Sequence, residues 1–424
     1  MNQHYPFTLS LSKGKTLRGF DKLSPNGLEV MMNKAGWQTK NLGDVCDVVG
    51  GGTPSKGKPA FYSGDIPWAT VRDIKQEVIS STEFKITKEA VKSSATNIIP
   101  SGNVVIATRV GLGKVCLLGQ DTAINQDLRG IVPHDTTKLD VRFLYWWLKS
   151  IADVIVAEGT GATVQGVKLP FVKSLQVPFP PLPEQQRIVG ILDAAFDGIA
   201  TAKANAEQNL QNARALFESH LQSVFTQRGE GWVVKKVSEV AKHSLGKMLD
   251  KAKNKGELQP YLRNINVRWF NFDLSDLIQM PFLPSESDKY TAVKGDVLIC
   301  EGGYPGRAAI WNEDYPVYFQ KALHRVRFHE PEHNKWFLYY LYVQDMSGEL
   351  KQHFSGTGIQ HFTGEVLARF EIPLPPLQEL RKAVTKFDEL AEKTQRLESL
   401  CQRKLAALAE LKKSLLHQAF TGAL

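Results

Sequence analysis

One stretch of this sequence occurs twice, and the distance between its copies limits what the chain can be. Val177-Pro-Phe-Pro-Pro-Leu-Pro-Glu184 returns as Ile372-Pro-Leu-Pro-Pro-Leu-Gln-Glu379, an offset of 195 residues. The same offset carries Gly36-Trp37 to Gly231-Trp232, Asp44-Val45 to Glu239-Val240, and Phe225-Thr226 to Phe420-Thr421. With a shift of one or two residues, Phe143-Leu-Tyr145 matches Phe337-Leu-Tyr339 and Gly159-Thr-Gly161 matches Gly356-Thr-Gly358. A period this long means duplicated domains, because solenoid repeats are far shorter. The expected organisation is an N-terminal extension over 1–36, a domain over 37–182, a helix over 183–227, a second domain over 228–376 and a second helix over 377–424.

Each unit has two textures. Up to the proline stretch it is rich in Gly, Pro, β-branched and aromatic residues. Short apolar runs such as 103–107 and 296–300 read as strands, with helices over 141–149 and 335–342, so the domains are mixed α/β. Beyond the prolines, Ala, Leu, Glu, Gln and Lys dominate, which is helical composition. Val189, Leu192, Phe196, Ile199, Leu210 and Leu216 advance by helical spacing, and Val384, Phe387, Leu397, Leu405, Leu408 and Leu415 do the same in the second copy. Only Thr394 and His220 interrupt these stripes. The expectation is an antiparallel coiled coil of two rods of roughly 60 Å, giving an α/β fold with pseudo-twofold symmetry. The alternative is two separate amphipathic helices, each covering its own domain.

Charge and chemistry narrow the function. The formal net charge is +8, which permits a polyanionic partner without proving one. The two helices hold 12 basic and 11 acidic residues, so they are no basic zipper, and any nucleic-acid surface lies on the globular parts. The start of the chain lacks an apolar secretory core and no run of 18 apolar residues exists, which points to a cytoplasmic protein. Cys46, Cys116, Cys300 and Cys401 are too dispersed for a zinc site or a disulfide scaffold. The loop Gly52-Thr-Pro-Ser-Lys-Gly57-Lys58 nearly fits a phosphate cradle, but Pro59 stands where a hydroxyl is required. Asp73 with Glu83-Phe-Lys85 resembles a nuclease pattern that is common by chance. His324, His329 and His333 have no metal-ligand spacing. No catalytic residues and no metal ligands are expected.

Two α/β domains, each followed by a long helix behind a proline hinge, resemble the specificity subunit of a type I restriction–modification system. Pro180-Pro-Leu-Pro-Glu-Gln-Gln-Arg187 and Pro375-Pro-Leu-Gln-Glu379 carry the resemblance at the helix starts. Gly51-Gly-Thr-Pro-Ser55, Gly64-Asp-Ile-Pro-Trp68, Asn125-Gln-Asp127 and Tyr261-Leu-Arg-Asn264 resemble parts of its target-recognition domains. The second copy departs from the pattern at Gln378-Glu379-Leu380 and at Ser244-Leu-Gly-Lys247. The resemblance implies a non-catalytic DNA-binding subunit whose two domains read the halves of a split site while the helix pair fixes the gap. It implies as partners two modification subunits, which use S-adenosylmethionine to methylate adenine, and restriction subunits that use ATP and Mg. None of these cofactors is expected on this chain, and no membrane partner. A coiled-coil adaptor joining two protein-binding modules is the alternative.

Side-chain chemistry suggests the contacts. Thr53, Ser55 and Lys56 form a flexible hydroxyl-rich loop suited to a phosphate. Arg72, Arg109, Lys114, Asn125 and Gln126 carry the forks and amides that suit guanine or adenine edges. Their counterparts in the second domain are Lys247, Arg263, Asn264, Arg268, Arg307, Gln320 and His324. Gly159-Thr-Gly161 with Gln165, and Gly356-Thr-Gly358 with Gln360 and His361, read as tight loops before the hinges that either touch DNA or turn the chain. For each, a structural or solvated role is the competing reading. Trp68 and Trp269 read as core.

Overall fold

A computed structural model describes residues 36–160, 166–250 and 254–424; the extension over 1–35 and Gln165 lie outside it. The described chain falls into two compact units. One comprises the residues up to Asn205 together with Lys404–Leu424; the other is Ala206–Arg403. The long helices run over Leu182–Thr226 and Leu377–Thr421. Both have 45 residues, and their first and last residues keep the repeat offset. Each helix gives one segment to each unit.

The first unit is built on a five-stranded sheet in the order Cys46–Gly50, Leu128–Pro133, Val104–Ala107, Val115–Leu118, Val78–Ile79. All pairs are antiparallel except the last. A four-stranded sheet (Phe84–Ile86, Ile66–Ala69, Thr122–Ile124, Asn97–Ile99) and the pair Gln38–Asn41 with Gln176–Phe179 complete it. Val104–Ala107 shows why an unbroken apolar run is a strand here. Val104 and Ile106 face one cluster with the helix Val141–Ser150, while Val105 and Ala107 face another. A sheet covered on both faces needs no polar alternation. The helix starts at Asp140, whose carboxylate accepts the Phe143 amide at 2.9 Å, and six consecutive residues from Phe143 to Leu148 are buried. It is buried all round because it lies between sheet and long helices: Trp146 meets Phe196 at 4.6 Å and Phe143 meets Phe420 at 5.2 Å.

Ala206–Arg403 repeats the plan. One sheet runs Ala241–Leu245, Leu323–Phe328, Val297–Cys300, Ala308–Ile310, and a second runs Ile278–Phe282, Glu257–Leu262, Val317–Phe319, Thr291–Ala292. Val297 and Ile299 again face the helix-side cluster, and Leu298 and Cys300 the other. The helix His333–Ser347 ends on Gly348 at φ +79°, a left-handed cap that glycine adopts without strain. Its Trp336 donates to the Pro373 carbonyl at 2.7 Å, tying the helix to the proline hinge.

In both units one aspartate fastens domain to helix, and the two stand 195 residues apart. Asp193 receives the Arg142 fork at 2.8 and 2.9 Å and the Trp146 indole N–H at 2.8 Å. Asp388 receives Lys335 at 2.6 Å and the Tyr339 hydroxyl at 2.8 Å. Bidentate, charge-assisted bonds fix orientation as well as adding energy. The Pro-Leu-Pro-Glu-Gln start has its own reason. Gln185 is fully buried, accepts the Asp140 amide, and donates to the Lys138 and Pro180 carbonyls, each at 2.8 Å. In the second copy buried Leu380 takes this position.

Within each unit the helix segments run antiparallel. In the first, Lys412 stands over Phe196 at 5.0 Å and Arg187 reaches the Leu424 carbonyl at 2.9 Å. In the second, Phe387 meets Phe225 in a tilted ring contact at 5.8 Å, while Arg214 pairs with Glu398. Of the expected stripe, Leu192, Phe196 and Phe387 are buried, and Val189, Ile199, Leu210, Val384, Leu405, Leu408 and Leu415 are half-buried. Leu216 and Leu397 require correction, being 65% and 37% exposed. Phe217 and Glu398 face inward instead. Two causes act together. A helix of 3.6 residues per turn drifts against a seven-residue repeat by about 20° per heptad. Phe217 is also claimed by the domain, with Tyr339 and Tyr342 each at 6.4 Å. All four cysteines are free and buried.

Candidate nucleic-acid interface

In the first unit a concavity of about 740 Å³ opens beside the Gly-Gly-Thr-Pro loop. Its lining includes Thr53, Lys56, Arg72, Asn125 and Gln126, five of the residues singled out from the sequence, brought together from three separated segments. Beside the buried Trp68, Tyr62, Phe84 and Val110 form an apolar wall that the sequence reading missed. Phe84 is 40% and Val110 53% exposed. The only available signal was an aromatic on a short edge strand.

The glycines of the Gly-Gly-Thr-Pro loop serve close packing. A Cβ on Gly51 would strike the Asn125 carbonyl and one on Gly52 the backbone of Ala95 and Thr96. The Gly52 carbonyl accepts from the Trp68 indole at 3.1 Å and the Thr96 hydroxyl at 2.7 Å. These glycines allow backbones to touch. The same demand returns 195 residues later, where a Cβ on Gly246 would strike the Gln320 carbonyl. The packed loop presents Thr53, whose hydroxyl bonds the Gln126 side chain, and exposed Ser55 and Lys56. Arg72 is positioned by Thr70, which accepts the Arg72 amide at 3.2 Å, and by Asp73, which accepts the Thr70 and Glu83 amides at 2.7 and 2.8 Å. Asp73 therefore serves the turn. Asn125 is turned inward, its amide donating to Asp127 at 3.0 Å. Asp127 also draws in Arg109 at 3.7 Å. Lys114 is exposed but lines a separate hollow with Lys75, Lys149 and Lys412. The side chains of Lys56 and Arg72 have no ion pair among the described residues, so their charges are available to a ligand.

The second domain treats its candidates differently. Lys247 is buried, donating to Glu286 at 2.5 Å and to the Pro281 carbonyl at 2.9 Å, with Phe282 beneath it. Arg263 holds Asp276 at 2.7 Å, and Arg268 holds the Ile265 carbonyl and Asp273. Arg307 stacks on Tyr304 at 4.0 Å and donates to the Asn264 carbonyl at 2.9 Å, while the Asn264 amide bonds the Gly302 carbonyl at 3.0 Å. Gln320 is half-buried and bridges to Lys247. His324 is 1% exposed and bonded to the Phe362 carbonyl at 3.1 Å. As places for a ligand to touch, Lys247, Arg307 and His324 are corrections. Each gives a hydrogen bond to a backbone carbonyl inside the domain, Pro281 for Lys247, Asn264 for Arg307 and Phe362 for His324. Gln360 remains exposed. Trp68 and Trp269 are buried as expected.

Burial, with His243 nearby, pushes His324 down to about 4. A group whose folded pKa is depressed contributes stability above its unfolded pKa, and that contribution is lost as pH falls through the folded one. Between pH 7 and pH 5 the loss from His324 should be about 2 kcal/mol. Urea unfolding of wild type and His324→Gln checks this: the variant's stability should vary less over that window, and an equal slope would refute it.

Among the described residues no cluster of His, Cys, Asp or Glu could hold a metal, and no helix is long and apolar enough to cross a membrane.

The comparisons agree with the repeat. The family described as Type I restriction modification DNA specificity domain matches residues 34–212 and again 229–404. The specificity subunit of the type I restriction enzyme EcoR124I/EcoR124II of Escherichia coli is 37% identical over 170 residues, 38% of this chain and 41% of that protein. The MjaIX specificity subunit of Methanocaldococcus jannaschii is 28% identical over 227 residues, 50% of this chain and 52% of its own length. The chain thus spans about half the length of these relatives, or less. Among solved structures, a chain from a type I R-M system studied for complex assembly and conformational transition superposes with a TM-score of 0.74, covering 92% of this chain and 99% of that one. The HsdS subunit from Thermoanaerobacter tengcongensis does so at 0.61, covering 92% and 98%. Both are 21% identical, a likeness of fold.

Proposed function

Since the chain belongs to the family of type I restriction–modification DNA specificity domains, matched over both of its repeats, we propose that it is the sequence-reading, non-catalytic subunit of such a system. Each α/β domain reads one half of a bipartite duplex site. The helix pair sets the gap. Two modification subunits carrying S-adenosylmethionine dock on it and methylate an adenine in each half, and ATP- and Mg-dependent restriction subunits complete the assembly, in the cytoplasm. The observation that carries this reading is the duplication itself, two complete domains each fastened by one aspartate to a helix of identical length. One small domain reads only a few base pairs, each good bidentate contact giving about 1–3 kcal/mol of discrimination. Two domains on one scaffold multiply that selectivity, because the second binds at high effective concentration.

In the first domain the contacts fall to Thr53, Ser55, Lys56, Arg72 and Gln126 around the cleft, with Arg109 at its margin through Asp127 and Lys114 in the separate hollow. Methylation mapping in a strain carrying the whole system tests the reading. One asymmetric, gapped site with an adenine modified in each half is expected, and a single ungapped site would refute it. Inserting four residues after Ala206 adds about one helical turn, ~6 Å. Each half-sequence should be retained and the preferred spacer should lengthen by one or two base pairs, since base pairs rise about 3.4 Å. A fully active variant with the original gap would show that the helices are not the ruler.

A further inference from the structure

Four lysines converge on one hollow of the first unit, and none of them has an acidic partner. The hollow, of about 420 Å³, lies where the domain meets the long helices. Lys75 and Lys114 come from loops of the domain, Lys149 from the end of the helix Val141–Ser150, and Lys412 from the second long helix. Lys149 is half-buried and leans over the Tyr145 ring at 5.6 Å, and exposed Lys412 leans over Phe196 at 5.0 Å. An aromatic face attracts a cation without neutralising it. Among the described residues none of the four makes an ion pair. Of the two acids in the lining, Glu77 is taken by Arg142 at 3.0 Å, and Asp197 is exposed. Burial and the charge of Lys412 hold the Lys149 pKa below its ordinary value, a like-charge cost that an arriving anion relieves.

The hollow continues the cleft. The turn after Thr70 gives Arg72 to the cleft and Lys75 to the hollow, and the turn over 109–114 gives Val110 to the cleft and Lys114 to the hollow. The two turns pack on each other, since a Cβ on Gly111 would strike the Val71 side chain. Cations thus run without a break from Lys56 and Arg72 to the face of the long helices. That continuity favours one extended polyanion over a small anion.

The second copy treats the same four positions differently. Val104 pairs with Leu117 as Val297 does with Ile310, which sets Lys114 on Arg307. Asp73 closes its turn on the Thr70 amide as Asn266 does on the Arg263 amide, which sets Lys75 on Arg268. The repeat sets Lys149 on Val343 and Lys412 on Phe217. Arg307 is stacked on Tyr304, Arg268 is paired with Asp273, and Val343 and Phe217 are buried. We propose that Lys75, Lys114, Lys149 and Lys412 form a phosphate anchor that holds the duplex backbone at the gap edge of the first half-site, with no equivalent at the second. The inference rests on the proposed function, in which the helices beside the hollow lie along the gap.

The test uses the full chain with its modification subunits on duplexes carrying the mapped site. Lys75→Gln with Lys412→Gln removes two exposed charges, so the urea midpoint should stay at the wild-type value. The slope of log affinity on log salt should become shallower by about two. Raising salt from about 50 to about 200 mM then costs wild type about tenfold more than the variant. Loss of affinity should be equal on every duplex, with base discrimination unchanged, and the Lys75→Arg, Lys412→Arg protein should keep the wild-type slope. Neutral methylphosphonate linkages at the gap edge of the first half-site should flatten the wild-type slope and leave that of the glutamine variant as it is. At the gap edge of the second half-site they should affect both proteins equally. Equal responses of the two proteins at the first edge would overturn the inference. So would weaker association with the modification subunits at an unchanged salt slope, which would make the hollow a protein-docking site. Both results leave the proposed function standing, whereas absence of gapped, sequence-specific binding by wild type would sink that function first.

Discussion

Replacing Arg214 by alanine should destabilise the protein by roughly 3–5 kcal/mol, read as a fall in the urea midpoint of unfolding. Arg214 and Glu398 form a charged pair inside the helix seam, with side chains 20% and 2% exposed. One Glu398 oxygen is buried without a hydrogen-bond partner, so the carboxylate depends on the guanidinium for compensation. Glu218 lies close by, its carboxyl pushed upward by burial and drawn down by the Tyr342 hydroxyl and Arg214. Truncating Arg214 removes the cation that stands between Glu218 and Glu398. The double variant Arg214→Met, Glu398→Leu should recover most of the loss, because apolar residues of similar volume often replace a buried ion pair without penalty. If the double variant were as unstable as the single one, the pair would not be the cause. A pair of this kind fixes register and orientation more than it adds stability. It holds the second copy's stripe where Leu397 would otherwise have been expected.

The second large effect is on DNA. Changing Lys56 and Arg72 together to alanine should weaken binding of a duplex carrying the mapped site about hundredfold. The dependence of log affinity on log salt should become shallower by about one for each phosphate no longer neutralised. These cations stand in one cleft, on a loop fixed by Gly51 and Gly52 and on a turn capped by Thr70. Stability should barely change, because neither charge is paired among the described residues. Lys247→Ala is the contrasting variant. Its ammonium is buried between Glu286 and the Pro281 carbonyl, so its loss should lower stability and leave the salt dependence as it was. A Lys56, Arg72 double variant with wild-type affinity and salt slope would remove the cleft from the interface.

The sequence by itself determined the architecture. An offset of 195 residues, two proline hinges and two apolar stripes are properties of residue order, and the helices at Leu182–Thr226 and Leu377–Thr421 keep that offset at both ends. Apolar periodicity and prolines act locally, over a few residues, so they survive being read along a line. Which side chains are left facing solvent was decided only by the tertiary structure. Lys56 and Lys247 each follow the first strand of the main sheet in their copy, yet one lines a cleft and the other fills a buried ion pair. His324 could have been a surface base-reader and is a neutral core residue. Leu216 yields to Phe217 because a domain aromatic cluster reaches the helix there. A polar side chain's role depends on whether a distant backbone carbonyl or carboxylate has claimed its hydrogen bonds. Those partners lie roughly 10 to 180 residues away along the chain, as Arg263 with Asp276 and Arg214 with Glu398 illustrate, and no local pattern announces them.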